Sequence, residues 1–280
     1  MDVNSNPKDL TGQVALVTGG GRGLGQAFAL SLASAGAVVA VIARSSEQLA
    51  GTVSLIRTER GQAHAFVADV TDRQAIERTV RVIEGALGPV DLLVNNAGIV
   101  TPLGPIWDVD PDQWWHSMDT NIRGPFLCAR AVLPSMIRRR RGRIINICSN
   151  AGILPIPYWP AYTISKSALI HLTDTLAVEI AEYGVIVLAI SPGTVRTELS
   201  GTVNSPEGQK WASWYKKYYD AANEDSLRQA TQLLLQLALG RGDALSGRYI
   251  TTSDSVDEMV QRVEEIKRSN LYSLTVNRLA

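Results

Sequence analysis

Val14-Ala-Leu-Val-Thr-Gly-Gly-Gly-Arg-Gly-Leu-Gly25 is the stretch on which the fold is read. Val14 to Thr18 is a short apolar run, as a buried strand requires. The glycines follow at once, and behind them Leu24, Phe28 and Leu32 recur on one helical face. Strand, glycine turn and helix in that order give a glycine motif its meaning. Glycine lets the backbone turn sharply and approach a pyrophosphate, and the helix N-terminus offers free N–H groups and a positive dipole end. Gly19, Arg22, Gly23, Leu24 and Gly25 are therefore candidate contacts to a dinucleotide.

Working outward, Ala37-Val-Val-Ala-Val-Ile-Ala43 is a near-continuous apolar run, the pattern of a parallel strand buried on both faces. An acidic residue at such a strand end accepts from the ribose 2′-hydroxyl of NAD. Here Ala43 is followed by Arg44, and a guanidinium suits a 2′-phosphate instead. Arg22 is a second candidate phosphate partner; the alternative for Arg44 is an ordinary solvated loop residue. Helices are expected over about 46–60 and 71–87, with a strand over 63–68 ending at Asp69. Val90 to Asn95 is the next strand and runs into Asn96-Ala97-Gly98. The segment 111–141 reads as mostly helical, with Asn121 in its middle and Pro125 and Pro134 as irregularities. Strand 143–148 delivers Ser149, a long helix follows over 161–183, and strand 185–190 leads to Pro192-Gly193. Strands alternating with helices imply βαβ units and a parallel sheet, an α/β fold with right-handed crossovers. Ligands of such sheets sit beyond the carboxyl ends of the strands. Gly19, Arg44, Asp69, Asn96 and Ser149 all lie at those ends.

The chemistry is expected between Ser149 and Lys166. Tyr162 and Lys166 are one helical turn apart and share a face. An ammonium ion near a phenol favours the phenolate. At ~5 Å and an effective dielectric of ~20 the attraction is roughly 3 kcal/mol, enough to draw Tyr162 down toward neutral pH, where a general acid/base works best. A Ser149 hydroxyl beside it could hydrogen-bond an alcohol or carbonyl oxygen.

The 280 residues are 45% hydrophobic and 19% charged with zero formal net charge, which suits one large globular domain or two small ones. Zero charge gives no bulk attraction to nucleic acid or an anionic membrane. The basic run from Arg138 to Arg143 then reads as a solvated helix C-terminus whose cations complement the dipole. The start, Met1 to Gln13, is polar and lacks the apolar stretch of a signal peptide, and no apolar run is long enough to span a bilayer. Cys128 and Cys148 read as buried free thiols of a reducing cytoplasm. His64, His116 and His171 are scattered, so no metal site is expected.

Together the motifs resemble the short-chain dehydrogenase/reductase family in its compact single-domain form, over roughly Leu10 to Ile250. The family's T-G-x-x-x-G-x-G pattern is matched by Thr18, Gly19, Gly23 and Gly25, and its N-N-A-G element by Asn95 to Gly98. Its active-site Asn, Ser, Tyr and Lys are matched by Asn121, Ser149, Tyr162 and Lys166. Asp69, with Val70 beside it, stands where the adenine is contacted. Pro192 and Gly193 match the element that approaches the nicotinamide, with Val195 and Thr197 at the carboxamide-contacting positions. The resemblance implies a doubly wound, Rossmann-type parallel sheet of about seven strands with helices on both faces, hydride transfer with NAD(P), and a homodimer or homotetramer. It also implies that Lys166 binds the nicotinamide ribose and that Asn121 holds a water in a proton relay. Basic residues at Arg22 and Arg44 usually accompany NADP in this family, so NADPH is the expected cofactor, ahead of NAD.

Residues 1–280 are accordingly expected to form one domain, with an N-terminal arm at 1–10, a substrate lid at 197–225 and a C-terminal extension at 251–280. Trp211, Trp214, Tyr215, Tyr218 and Tyr219 fall at helical spacing in the lid. That aromatic face either closes over a bulky apolar substrate or packs on the core or a subunit interface. The apolar loop 151–160, with Ile153, Leu154, Ile156, Tyr158 and Trp159, is either a pocket wall or ordinary packing. In the extension, Val256, Met259, Val260, Val263 and Ile266 make a helical stripe, which docks on its own subunit or on a neighbour; Leu271 to Val276 reads as an extended tail. The expected activity is NADPH-dependent reduction of a hydrophobic ketone or aldehyde. The rivals are an NAD-dependent alcohol dehydrogenase and a non-catalytic cofactor-binding scaffold.

Overall fold

The structure is a computed structural model and describes residues 9–276. Its strands are β1 (Val14–Thr18), β2 (Val38–Ala43), β3 (Gln62–Val67), β4 (Val90–Asn95), β5 (Gly142–Ile147), β6 (Val185–Ser191) and β7 (Tyr249–Thr251). They form one parallel sheet in the order β3-β2-β1-β4-β5-β6-β7. The helices are α1 (Gly23–Ser34), α2 (Ser46–Thr58), α3 (Arg73–Leu87), α4 (Pro111–Met118), α5 (Gly124–Arg139), α6 (Pro160–Glu179), α7 (Glu198–Gly201), α8 (Pro206–Trp211), α9 (Lys216–Ala221), α10 (Glu224–Ala238), α11 (Val256–Gln261) and α12 (Val263–Arg268).

The central strands β1 and β2 are almost wholly apolar because they feed two cores at once. Ala15, Val17, Val39 and Val41 point to one face and pack with Phe28 and Leu32 of α1, Leu49 and Ile56 of α2, and Leu234 and Leu237 of α10. Their neighbours Val14, Leu16, Ala40 and Ile42 point to the other and meet Ile76 and Ile83 of α3 and Val132 and Met136 of α5. Each buried Val, Leu, Ile, Phe or Met among them contributes about 1.5–3 kcal/mol, so a polar residue at either parity is costly. This is the doubly wound Rossmann-type architecture. The chain winds outward from β1 through β2 to β3, then returns to place β4 on the other side of β1. The crevice at this reversal opens at the carboxyl ends of β1 and β4.

Local signals set the element ends. Asp72 caps α3 by accepting from the Ala75 N–H at 3.0 Å, so that helix begins after the cap rather than at Thr71. The 111–141 segment is not one helix. Asp119–Arg123 is a π-helical turn, with the Gly124 N–H reaching back to the Asp119 carbonyl. Pro125 has no N–H to offer the Asn121 carbonyl, which an α-helix would require, and this is the sequence reason for the change of register.

The basic run is engaged more fully than a solvated terminus would be. Arg139 donates to Asp91 Oδ1 at 2.7 Å and to the Val90 carbonyl at 2.6 Å, and Arg141 approaches the same carboxylate at 3.4 Å. Asp91 Oδ2 in turn accepts from the Val14 N–H at 3.1 Å, pinning the start of β1. Arg140 donates to the Glu182 carbonyl, and Arg143 grips Asp243 through two bonds of 2.7 and 2.6 Å.

Of the expected N-terminal arm, positions 1–8 lie outside the described residues, while Leu10 is buried and its N–H bonds to the Ala35 carbonyl at 2.8 Å. At the other end, the stripe of the C-terminal extension lies on its own chain: Val256, Met259 and Ile266 join the core under α1 and α10, with Val260 and Val263 packed against it. It breaks into two short helices, α11 and α12. Leu271 and Tyr272 form a turn rather than the start of an extended tail, and the Tyr272 carbonyl accepts the outward Tyr249 N–H of the edge strand β7 at 2.9 Å. Among the described residues no helix is long and apolar enough to cross a membrane.

Candidate active site

The crevice between β1 and β4 is fastened by one hydroxyl and one amide. Thr18 Oγ1 accepts the N–H groups of Asn96 and Ala97 at 3.0 and 3.1 Å. Asn96 Nδ2 donates to the Thr18 carbonyl at 2.9 Å. Gly19 has φ of +64°, and a Cβ there would stand 2.9 Å from Asn96 Nδ2; at Gly25 a Cβ would stand 2.2 Å from the Gly19 carbonyl oxygen. These contacts hold the turn open as a bare backbone cradle. The first residues of α1 carry no side-chain cap and no carboxylate. A twelve-residue helix with uncapped N–H groups facing a crevice of backbone is the donor set a pyrophosphate requires, so the residues fit a dinucleotide.

The remaining candidates for that ligand are spread along the same edge. Gly23 abuts Thr197, whose methyl would lie 3.3 Å from a Cβ at Gly23. Leu24 is half-buried in the first turn of α1. Arg44 is exposed at the end of β2 and its guanidinium lies 3.9 Å from Asp69 Oδ2. The other oxygen of Asp69 is held by Thr71 through its N–H and hydroxyl, at 2.9 and 2.8 Å. Val70 turns its side chain inward and packs on Gly124, whose added Cβ would meet it at 2.9 Å. Arg22 reaches across the crevice and contacts the Glu198 carboxylate. Pro192 and Gly193 follow β6, Gly193 with φ of +69°. Val195 is buried, and its carbonyl accepts from Ser200 Oγ at 2.7 Å, while Thr197 caps α7.

Asn121, Ser149, Tyr162 and Lys166 converge next to this crevice. Lys166 Nζ donates to the Ile147 carbonyl at 2.7 Å and lies 5.6 Å from the centre of the Tyr162 ring. A Cβ on Gly98 would lie 3.1 Å from Asn121 Oδ1 and 3.6 Å from Lys166 Nζ, which places Gly98 beside both groups. The Asn121 amide is fully engaged: Nδ2 donates to the Ile99 carbonyl and Ser165 Oγ at 2.8 and 3.0 Å, and Oδ1 accepts the Ile99 N–H at 2.9 Å. The side chain therefore locks the loop after β4, and only its backbone carbonyl is left by Pro125 without an α-helical donor.

The expected acidification of Tyr162 is overturned. Burial pushes its phenol above the ordinary tyrosine range, against the pull of a hydrogen bond from Ser149. Burial likewise draws Lys166 below the usual lysine range. The physical reason is that both groups stand in a dry site, Tyr162 only 8% and Lys166 only 4% exposed. Removing a charge from water there outweighs roughly 3 kcal/mol of attraction. The ammonium also spends its bond on a backbone carbonyl. At neutral pH the phenol therefore keeps its proton, which makes Tyr162 an acid in hand. Cys128 and Cys148 are free and buried, and burial pushes both thiols up to about 12.

Above Tyr162 lies an apolar layer of Val100, Leu103, Ala151, Trp159, Val203 and Ala212, with Ile156, Leu199, Trp211, Tyr215 and Tyr219 packed against it. Of the apolar loop, then, Ile156 and Trp159 face the site, whereas Ile153 and Leu154 are exposed and Tyr158 stacks on Trp211 at 5.0 Å. The aromatic stripe of the 197–225 segment is not one helix face. It is broken across α8, a 3-10 turn at Ser213–Tyr215 and α9, and this splits it. Trp211, Tyr215 and Tyr219 turn toward Tyr162, while Tyr218 is 48% exposed under Lys217.

Sequence patterns do not point to Asn146, Ser165 or Thr173, which complete the frame. Asn95 Nδ2 donates to Asn146 Oδ1, and Asn146 Nδ2 to Thr173 Oγ1, both at 2.8 Å, tying β4 through β5 to α6. A lone amide within the apolar run 143–147 is the signal that marks Asn146, since a buried amide must be paired.

The short chain dehydrogenase family profile matches residues 13–208. A short chain dehydrogenase of Pseudocercospora fijiensis is 34% identical over 279 residues, covering 95% of this chain and 90% of the relative. A gluconate 5-dehydrogenase from Burkholderia cenocepacia, solved with NADP and tartrate, superimposes with a TM-score of 0.78 at 31% identity, over 89% of this chain and 98% of that one. A xylitol dehydrogenase bound to NAD+ gives a TM-score of 0.78 at 30% identity, over 87% and 98%.

Proposed function

The chain belongs to the short-chain dehydrogenase/reductase family and is an NAD(P)-dependent oxidoreductase acting on a small molecule; from that premise we propose that it reduces the carbonyl of a bulky hydrophobic ketone or aldehyde to an alcohol, with NADPH as the preferred cofactor. The observation that carries the reading is the Tyr162 phenol, buried beneath an apolar layer, with the Lys166 ammonium 5.6 Å from its ring centre.

A nicotinamide dinucleotide, when bound, would supply the hydride. The chain's own residues do the rest. The Gly19–Gly25 turn and the α1 N-terminus would hold the pyrophosphate, Asp69 and Val70 the adenine, and Asn96 to Gly98, Pro192, Gly193, Val195 and Thr197 the inner half. Ser149 donates a hydrogen bond to the carbonyl oxygen and polarises it. Tyr162 passes its proton to that oxygen as charge builds there. Lys166 holds the ribose and, as a cation a few ångström away, stabilises the phenolate that results. A water on the Asn121 backbone carbonyl returns the proton from solvent. The segment around α7, α8 and α9 acts as the lid, with Trp211, Tyr215 and Tyr219 excluding water.

Arg44 and Arg22 support NADPH because a doubly charged 2′-phosphate offers both a stronger partner than Asp69 or Glu198 gives them at the surface. Arg44→Asp should lower the ratio of kcat/KM for NADPH over NADH by about 100-fold, the scale of one charge-assisted contact of about 3 kcal/mol. Steady-state kinetics with each cofactor reads this. The second reading, an NAD-dependent alcohol dehydrogenase, draws on the Arg44–Asp69 pairing, which leaves Arg44 partnered without a phosphate. A wild-type preference for NADH, unmoved by the substitution, would decide for it.

A further inference from the structure

Ser149 is placed by the turn that follows it as well as by its strand. Its Oγ accepts the Ala151 N–H at 3.1 Å and its carbonyl accepts the Gly152 N–H at 2.8 Å. One lone pair of the hydroxyl is thereby fixed on the backbone, and its hydrogen is left for a further partner. The aim of that hydrogen depends on where the turn Asn150–Gly152 sits. The turn is held from two sides. On one, Ser167 Oγ of α6 donates to the Gly152 carbonyl at 2.7 Å, and a Cβ on Gly152 would stand 2.8 Å from the Lys166 carbonyl oxygen. On the other, the Tyr249 hydroxyl donates to Asn150 Oδ1 at 2.7 Å, across 99 positions of sequence. Tyr249 is 5% exposed and packs with Cys148, Leu169, Ile170 and Ala189, with Leu274 against the same cluster. Burial raises its phenol above the ordinary tyrosine range, so it remains a donor well above neutral pH. Its strand, β7, is a three-residue edge strand that the C-terminal extension fastens: the Tyr272 carbonyl accepts the Tyr249 N–H at 2.9 Å, and Arg248 donates to Asn270 Oδ1 at 2.7 Å.

We propose that Tyr249 is a positioning residue for carbonyl reduction: through Asn150 it fixes the turn that aims the Ser149 hydroxyl, and the C-terminal extension acts on the active site by holding Tyr249 in place. The inference rests on the carbonyl-reductase reading above and adds a residue to it. Removing the Tyr249 hydroxyl leaves its ring, β7 and the extension where they are, but frees the Asn150 end of the turn. A Ser149 that wanders polarises the carbonyl less well, because a hydrogen bond made in the transition state is sensitive to small displacements. The cofactor cradle, built on Thr18, Asn96 and the glycine turn, has no bond to Tyr249 or Asn150. The loss therefore falls on kcat and leaves KM and cofactor affinity alone.

The test is a double-mutant cycle read with phenylacetone and NADPH. Tyr249→Phe should lower kcat about fivefold, the scale of one neutral hydrogen bond, with KM and the NADPH dissociation constant changed by about twofold or less. Asn150→Ala should do the same. The double variant should lose no more than either single one, since both changes remove the same bond. Apart from turnover, backbone amide exchange in the peptide spanning 149–154 should quicken about fivefold in Tyr249→Phe, while peptides from β1 and β4 exchange as before. Losses that multiply in the double variant, a loss of NADPH affinity matching that of kcat, an unchanged kcat, or unchanged exchange at 149–154 would each overturn the inference and leave the reductase reading standing. Wild-type protein that oxidises no NADPH with phenylacetone would instead remove the reductase reading, and the positioning role with it.

Discussion

Tyr162→Phe is expected to lower kcat for carbonyl reduction by at least about a thousandfold, within the range that a positioned proton donor supplies, while leaving NADPH affinity nearly unchanged. The substitution removes one oxygen and keeps the ring. The ring's edge-on packing against Trp159 at 5.8 Å and its place among Val100 and Leu103 survive, so the fold has no reason to yield. The cofactor cradle is built from Gly19 to Gly25, Thr18 and Asn96, none of which leans on the phenol. What is lost is the phenol proton, which burial binds more tightly than in an ordinary tyrosine. Neither neighbour replaces it: the Lys166 ammonium is committed to the Ile147 carbonyl, and the Ser149 hydroxyl is far too weak an acid. NADPH consumption and NADPH fluorescence titration, run side by side, separate the two effects.

Gly25→Ala is expected to weaken NADPH binding by about 100-fold or more and to destabilise the protein by about 1–3 kcal/mol, the range for forcing a methyl into a packed site. The added Cβ would meet the Gly19 carbonyl oxygen at 2.2 Å and Asn96 Nδ2 at 2.5 Å. Neither can retreat. The first belongs to the turn that must cradle the pyrophosphate, and the second holds the Thr18 carbonyl at 2.9 Å across the crevice. Helix α1 must therefore back away, taking its free N–H groups with it. Gly51→Ala, in the interior of α2, is the control. A Cβ there meets nothing within 4 Å, so alanine should stabilise by about 0.5–1 kcal/mol through helix propensity and leave binding alone. Urea unfolding and NADPH titration of both variants check the contrast.

Much of the scaffold is legible along the chain because the central strands are buried on both faces. β1 and β4 read to the residue, since an apolar run between a glycine turn or an Asn-Asn pair and a helix has no other use. The shared location of Gly19, Asn96, Ser149 and Tyr162 follows from that order, because parallel strands deliver their carboxyl ends to one edge. Other features depend on what the chain meets after folding. The state of Tyr162 turns on burial, which spacing to Lys166 cannot express. The π-turn at Asp119–Arg123 is signalled only by Pro125, two residues beyond it. The aromatic stripe has helical spacing, yet Ser205 and Pro206 start α8 afresh and Ala212 interrupts it, so Tyr218 turns outward and Trp214 stays at the rim, 5.5 Å from Trp159. The stripe of Val256, Met259 and Ile266 shows a buried face, but only the tertiary structure says that the core beneath α10 is what buries it.

The central claim is that a hydride and the Tyr162 proton are delivered to one carbonyl group in this crevice. It is tested most directly by following the label from NADPH carrying deuterium at both C4 positions during reduction of a hydrophobic ketone such as phenylacetone. The account predicts an alcohol that carries deuterium on its carbinol carbon, formed in step with cofactor oxidation by the wild-type protein and not by Tyr162→Phe. An alcohol without label, or cofactor oxidised with no alcohol formed, would contradict it.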